Sequence, residues 1–285
     1  MRPLTVVLLV LAIAATAACA PALHEPSPLT AIGLAAPPAA GSGAASPAVV
    51  AAASPAEADR LLRDGAAAFA RRPDAGSVSG SLSLYLRAAR ADEVRVDGLL
   101  GAAEASAWLI EHEADASRRE RLATEAVEIC QWCGRRAPGR IECTYRLALA
   151  IGQQARERSS TALDGLKRMT PLLEQVIARA PTLDAAGGHR VMALVLLRAP
   201  GWPTGPGDPD AALEHARKAD ALVPDEAQNL LALAEALAAT DQPAEARRIY
   251  ARAEAIARTA AAAGHPDAPE WADAAARALA ALAKR

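Results

Sequence analysis

Three cysteines fall in one short stretch: Cys130, Cys133 and Cys143. Cys130 to Ala137 reads as the end of a helix, Pro138-Gly139 as a turn, and Arg140 as the start of the next helix. Cys133 and Cys143 each lie five residues from Pro138. They should face each other across an antiparallel hairpin, so a Cys133–Cys143 disulfide is expected, with Cys130 one turn deeper as a free core thiol. Three reduced core cysteines are the alternative. A Cys-x-x-Cys metal site needs a second such pair or a spaced pair of histidines, and neither follows.

The remaining candidates are weaker. Trp132-Cys133-Gly134 resembles a thioredoxin motif, but the second Cys is missing downstream, so redox catalysis is not expected. The five histidines, His24, His112, His189, His215 and His265, are scattered. His112 lies between Glu111 and Glu113 without an HExxH pattern, which reads as a solvated helix face. No pair of carboxylates has a context that marks an acid and a base. Gly187-Gly188 lacks the GxxxxGK[ST] spacing of a phosphate loop and reads as helix packing or a sharp turn into a helix. The expectation is therefore no catalytic residue, no metal and no cofactor.

The elements that carry these residues are helical. The chain has 285 residues, 52% hydrophobic but only 3% aromatic, so Ala and Leu must make the core. Small side chains suit closely packed helices better than a sandwich or barrel. A net charge of -2 supplies no basic field for nucleic acid. From Pro55 onward no strand-period run competes with the helical pattern. Segments of helix are divided at Arg72-Pro73-Asp74, Ala137-Pro138-Gly139, Ala180-Pro181, Val223-Pro224-Asp225 and His265-Pro266. Pro138, Pro181 and Pro224 are spaced 43 residues apart, the length of a helix pair with insertions.

Small or aromatic residues recur at i, i+4 and i+7, on one helix face. Ala246, Tyr250 and Ala253 do so, as do Ala212, Ala216 and Ala219, then Ala126, Cys130 and Cys133, and more weakly Ser81, Tyr85 and Ala88. In this the chain resembles the tetratricopeptide repeat. The resemblance implies an all-α superhelix of four to five helix pairs, closed by a capping helix over Trp271 to Arg285. In that family the first helix of each pair, helix A, lines the concave face. Arg146 and Arg190 fall on A helices and are possible ligand or partner contacts. Trp202, in the Gly201-Trp202-Pro203 loop, is a third: it would cap a groove or plug the core beneath the loop.

The N-terminus is of another kind. Met1-Arg2 precedes an apolar run, Leu4 to Ala18, too short for a comfortable membrane span. Thr16-Ala17-Ala18-Cys19 resembles a bacterial lipobox, with Thr where Leu is usual. The resemblance implies a signal peptide over residues 1–18 and acylation of Cys19. Ordinary cleavage after Ala18-Cys19-Ala20 is the rival, and Pro21 would stand against it. Ala20 is not the acidic residue that retains enterobacterial lipoproteins at the inner membrane, so the outer membrane, facing the periplasm, is expected. Export would also permit the disulfide. Residues 19–54 are Ala, Pro, Ser and Gly with scarcely a charge, and read as a flexible tether. About 35 residues of coil would span roughly 30–35 Å. Residues 55–285 form the repeat domain.

One stretch carries a narrower likeness. Gly187-Gly188-His189-Arg190, Ala199-Pro200-Gly201-Trp202-Pro203, Gly207-Asp208 and Ala211-Ala212 resemble the T component (TatT) of tripartite ATP-independent periplasmic (TRAP) transporters, with His189 in place of the usual aromatic. The match is strong over residues 184–240 and loose upstream. It implies a lipid-anchored accessory protein that meets a periplasmic solute-binding protein and passes a hydrophobic ligand through an internal channel. The alternative is a general protein–protein adaptor of envelope assembly without a small ligand. A closed apolar channel would favour the first, an open polar groove the second, and a histidine with a perturbed pKa would reopen the question of an enzyme.

Overall fold

The computed structural model describes residues 24–33 and 54–284, so the expected signal peptide and Cys19 lie outside the described residues. Among the described residues there are eleven α-helices and no strand. They are α1 (Pro55–Phe69), α2 (Ala75–Ala91), α3 (Asp97–His112), α4 (Ala116–Arg136), α5 (Ile141–Glu157), α6 (Ala162–Arg179), α7 (Leu183–Arg198), α8 (Pro209–Leu222), α9 (Ala227–Ala239), α10 (Pro243–Ala262) and α11 (Ala268–Leu282). Each odd-numbered helix packs on the next to make five hairpins, and α11 closes the series. This is the all-α helical-hairpin superhelix with a terminal cap that the sequence implied.

Helix starts are written in local chemistry. Asp74, Asp115 and Asp208 accept hydrogen bonds from first-turn amides, at 2.9 Å from Ser77, 2.8 Å from Arg118 and 3.0 Å from Ala211. Each cap satisfies a donor that the helix itself cannot, worth about 1 kcal/mol. Prolines begin α1, α8 and α10, where their missing N–H costs nothing. The breaks at Asp92 to Val96, Glu113 to Asp115 and Arg158 to Thr161 carry no proline, and sequence reading did not locate them.

The small-residue seams are where the hairpins touch. Ser81, Tyr85 and Ala88, Ala126, Cys130 and Cys133, Ala212, Ala216 and Ala219, and Ala246, Tyr250 and Ala253 are all buried. The Tyr85 ring lies over Gly65 and Gly101, where an added Cβ would meet it at 2.9 Å and 2.6 Å. Ser81 donates its hydroxyl to the Gly65 carbonyl at 2.8 Å, which satisfies a buried hydroxyl inside the seam.

Successive A helices touch one another at α1–α3, α3–α5, α7–α9 and α9–α11, whereas successive B helices make no comparable contact. The A helices therefore form the inner wall and the B helices the outer one. The ends of the superhelix meet. Arg72, in the α1–α2 turn, makes a two-pronged ion pair with Asp267 ahead of α11, at 2.9 Å and 3.0 Å. Arg72 also lies over the Phe69 ring, and both partners are largely buried. His112 at the end of α3 stacks on Trp108 and reaches Glu270 at 3.3 Å. His112 is exposed, as the solvated helix face implied, and makes this closing contact from there.

Residues 24–33 fall inside the stretch expected to be flexible tether, yet they are packed against the outer wall. Leu29 and Ile32 are large apolar residues in an Ala/Pro-rich stretch, and both are buried in the core that α2 and α4 share. Side chains hold the strap mostly by its main chain. Gln131 donates to the His24 carbonyl, the Trp132 indole to that of Ser27, and Arg90 to those of Leu29 and Ile32. Ser27 adds a side-chain bond to Glu128 at 2.9 Å. Burial of Leu29 and Ile32 contributes about 1.5–3 kcal/mol each and offsets part of the backbone entropy, about 1–2 kcal/mol per residue, lost on ordering the segment; the hydrogen bonds to its main chain add to this.

Candidate functional site

The turn into α7 is the most unusual piece of backbone among the described residues. Asp184, Ala185 and Ala186 are consecutive residues with positive φ, at 51°, 51° and 62°. Left-handed backbone costs an ordinary L-residue roughly 1–2 kcal/mol, so three together need compensation. They receive it from a buried polar cluster. Arg190 donates to the carbonyls of Asp184 and Ala185, to the Asp184 carboxylate at 2.8 Å and to the Asn229 side-chain oxygen at 3.0 Å. Tyr145 donates to the same carboxylate at 2.6 Å. Asn229 returns bonds to the carbonyls of Ala185, Ala219 and Val223, tying the turn to α8 and α9. Burial and the Asp184 charge raise the Tyr145 phenol, so it stays a neutral donor.

This cluster gives the Gly187-Gly188-His189-Arg190 motif its physical meaning. A Cβ on Gly187 would collide with the Tyr145 hydroxyl, and one on Gly188 would sit 3.1 Å from Val176. Arg190 is 7% exposed, and its guanidinium is committed within the fold. Arg190 clamps the strained turn and also borders the groove between α7, α9 and α11. Arg146 lies on the inner wall as its place on an A helix implied, but Glu104 pairs with it at 3.4 Å. Trp202 is 90% exposed, which excludes the core plug and leaves the ring open to a partner. The loop around it is held by its own backbone, with Gly207 N–H donating to the Pro200 carbonyl and Asp208 N–H to that of Leu196.

The cysteines are arranged as the turn at Pro138 suggested. Cys133 and Cys143 are joined by a disulfide with Cα atoms 5.4 Å apart. Cys130 is free and buried, and burial pushes its thiol up to about 12, which makes it inert.

Sequence reading missed the pairing of His189 with His215. They are 26 residues apart in the chain, yet α7 and α8 bring their Nδ1 atoms to 3.0 Å. Burial, then His215 and Lys218, lower His189 to about 4, and burial and Lys218 also lower His215. Both rings are neutral near pH 7, and one Nδ1–H donates to the other ring. No third metal-ligating side chain joins them among the described residues. The pair joins α7 to α8, and His189 is the perturbed histidine that keeps the question of an enzyme open.

The inner wall is polar. Glu104–Arg146, Glu111–Arg156 at 2.9 Å and Arg198–Glu235 at 2.9 Å bridge neighbouring A helices, and Gln153 adds a bond to Glu111 at 3.1 Å. Toward the C-terminal end a groove of about 410 Å³ opens between α7, α9 and α11. Leu194, Leu231 and Trp271 supply its apolar surface, Arg190, Arg198 and Glu235 its charge.

No family model matches the sequence, and no curated protein matches it significantly. Among solved structures the chain is similar to a thermophilic TPR protein of Thermus thermophilus, at 20% identity and a TM-score of 0.57 over 76% of this chain and 98% of that one. The fold is tetratricopeptide-like. Two structures of MamA are also similar, at 19% and 17% identity with TM-scores of 0.46 and 0.44. They cover 71% and 72% of this chain and 96% and 94% of theirs.

Proposed function

We propose that this chain is a helical-repeat scaffold, held at a membrane through an acylated Cys19, that binds a protein partner on its inner wall. The observation that carries the reading is the chemistry of that wall. Its ion-paired Arg and Glu residues and the mixed groove between α7, α9 and α11 suit a peptide or protein surface better than an apolar ligand. No helix of the described residues is long and apolar enough to cross a membrane; in this reading the acyl chains on Cys19 make the attachment. These bind stably when more than one is present, since each buried CH₂ contributes about 0.8 kcal/mol.

The narrower reading, association with a periplasmic solute-binding protein of a TRAP-type uptake system, rests on the resemblance over residues 184–240. Gly187, Gly188 and Arg190 shape the scaffold itself, which makes that part of the resemblance architectural. The general adaptor is the reading the polar wall favours. A photo-cross-linker at Gln228, on the lip of the groove, would test both in cells that make the full-length protein. Capture of a solute-binding protein by this site and not by one on α6 establishes the uptake reading. Capture of envelope-assembly proteins establishes the adaptor. Equal capture from both sites refutes the groove as the binding surface. Cys19→Ser should release the protein from membranes, and unchanged partition would sink the anchor.

A further inference from the structure

The docked strap determines how the protein stands on its membrane. From Cys19 to His24 is five residues, and five residues reach at most about 17 Å even when fully extended. His24 is already fixed on the outer wall, its carbonyl bonded to Gln131 and its neighbour Glu25 paired with Arg135 of α4. It borders the grooves that α4 makes with α5 and α6. We propose that the outer face of α4 and α6 is a membrane-docking surface. It is held within a short leash of the lipid, and the inner wall faces away from it. The proposal rests on acylation of Cys19. The 36-residue coil from Cys19 to Ser54 would impose no such orientation, because it would let the domain stand off by roughly 30–35 Å and turn freely.

The occupant is the bilayer surface, and what selects it is chain length rather than charge. The outer face carries both signs close together. Lys167 pairs with Asp164, Arg135 with Glu25 and Arg158 with Glu120. Orientation set by a covalent leash should therefore persist when salt screens those charges. The strap and the inner groove lie on opposite sides of the helix pairs, so a partner can occupy one while the membrane covers the other.

The test uses the full-length acylated protein reconstituted into vesicles that carry a headgroup energy acceptor. Single fluorophores go on Lys167→Cys, outside on α6, and on Arg198→Cys, inside on α7; both side chains are exposed. Cys130 is buried and Cys133 and Cys143 are bonded, so the label goes to the new cysteine. The outer label is expected to be quenched and the inner one to keep its emission, because it lies farther off by about two helix diameters, roughly 20 Å. High salt leaves the difference unchanged. An insertion of roughly 20 Gly/Ser residues between Ala22 and Leu23 adds about 25 Å of reach and abolishes it, without touching the strap or the core. Equal quenching at both sites with the native leash, in protein that partitions to vesicles, overturns the orientation alone. Partition no different from that of Cys19→Ser overturns the anchor, and the orientation with it.

Discussion

Arg190→Met separates a structural clamp from a binding residue. The substitution keeps the length and apolar volume of the side chain and removes its donors. Four groups lose a partner: the Asp184 carboxylate, the carbonyls of Asp184 and Ala185, and the Asn229 oxygen. Breaking a buried ion pair costs about 3–5 kcal/mol when the remaining charge is stranded. Here the Asp184 side chain is 43% exposed and keeps its bond from Tyr145, so water recovers much of that sum. Asn229 has no such recourse, since it is fully buried, and an orphaned buried acceptor costs about 1–3 kcal/mol. A net loss of about 3 kcal/mol follows, which lowers the melting temperature by roughly 6–12 °C for a domain of this size. Thermal unfolding followed by circular dichroism at 222 nm measures it. Hydrogen exchange should place the loosening at the start of α7 and at its contacts with α8 and α9. Arg146→Met is the comparison, and with one longer contact to Glu104 it should cost within about 1 kcal/mol. If Arg190→Met melts with the wild type and loses partner binding instead, the clamp is wrong and Arg190 is a contact residue.

Other outcomes follow from the same structure. Gly187→Ala should destabilise by about 1–3 kcal/mol, because the methyl group must displace the Tyr145 hydroxyl from Asp184; a neutral result in urea unfolding would refute the close approach. Reduction of Cys133–Cys143, which closes a span of 10 residues, should cost about 3 kcal/mol of chain entropy, read as a lower melting temperature in reductant. His189 is held neutral in the fold at about 4 against an ordinary 6.5. Its contribution is therefore intact above pH 6.5, is lost as pH falls toward 4, and levels off below, amounting to at most about 3 kcal/mol. His189→Gln should flatten the pH dependence of the urea midpoint across that window, and an unchanged slope would contradict the assignment. Trp202→Ser should leave stability within about 0.5 kcal/mol, as the ring is almost fully exposed.

The helical-hairpin architecture, its seams and the Cys133–Cys143 pairing could be read from the sequence. The reason is local: a helix face repeats at i, i+4 and i+7, so runs such as Ala246, Tyr250 and Ala253 identify a buried seam without knowledge of what it touches. Prolines and the residues that precede them mark breaks for an equally local reason. Contacts between distant segments were not legible. The Arg72–Asp267 pair that joins the two ends spans 195 residues, His189 meets His215 only because α7 crosses α8, and Leu29 and Ile32 find their cavity only once α2 and α4 have built it. Arg190 illustrates the difference. Its place on an A helix is local and was foreseeable. Its engagement with a left-handed turn depends on where Tyr145 and Asn229 arrive from elsewhere in the chain. Short-range periodicity thus determined which residues are buried, and only the tertiary structure decided which polar groups are committed to one another and which remain for a partner.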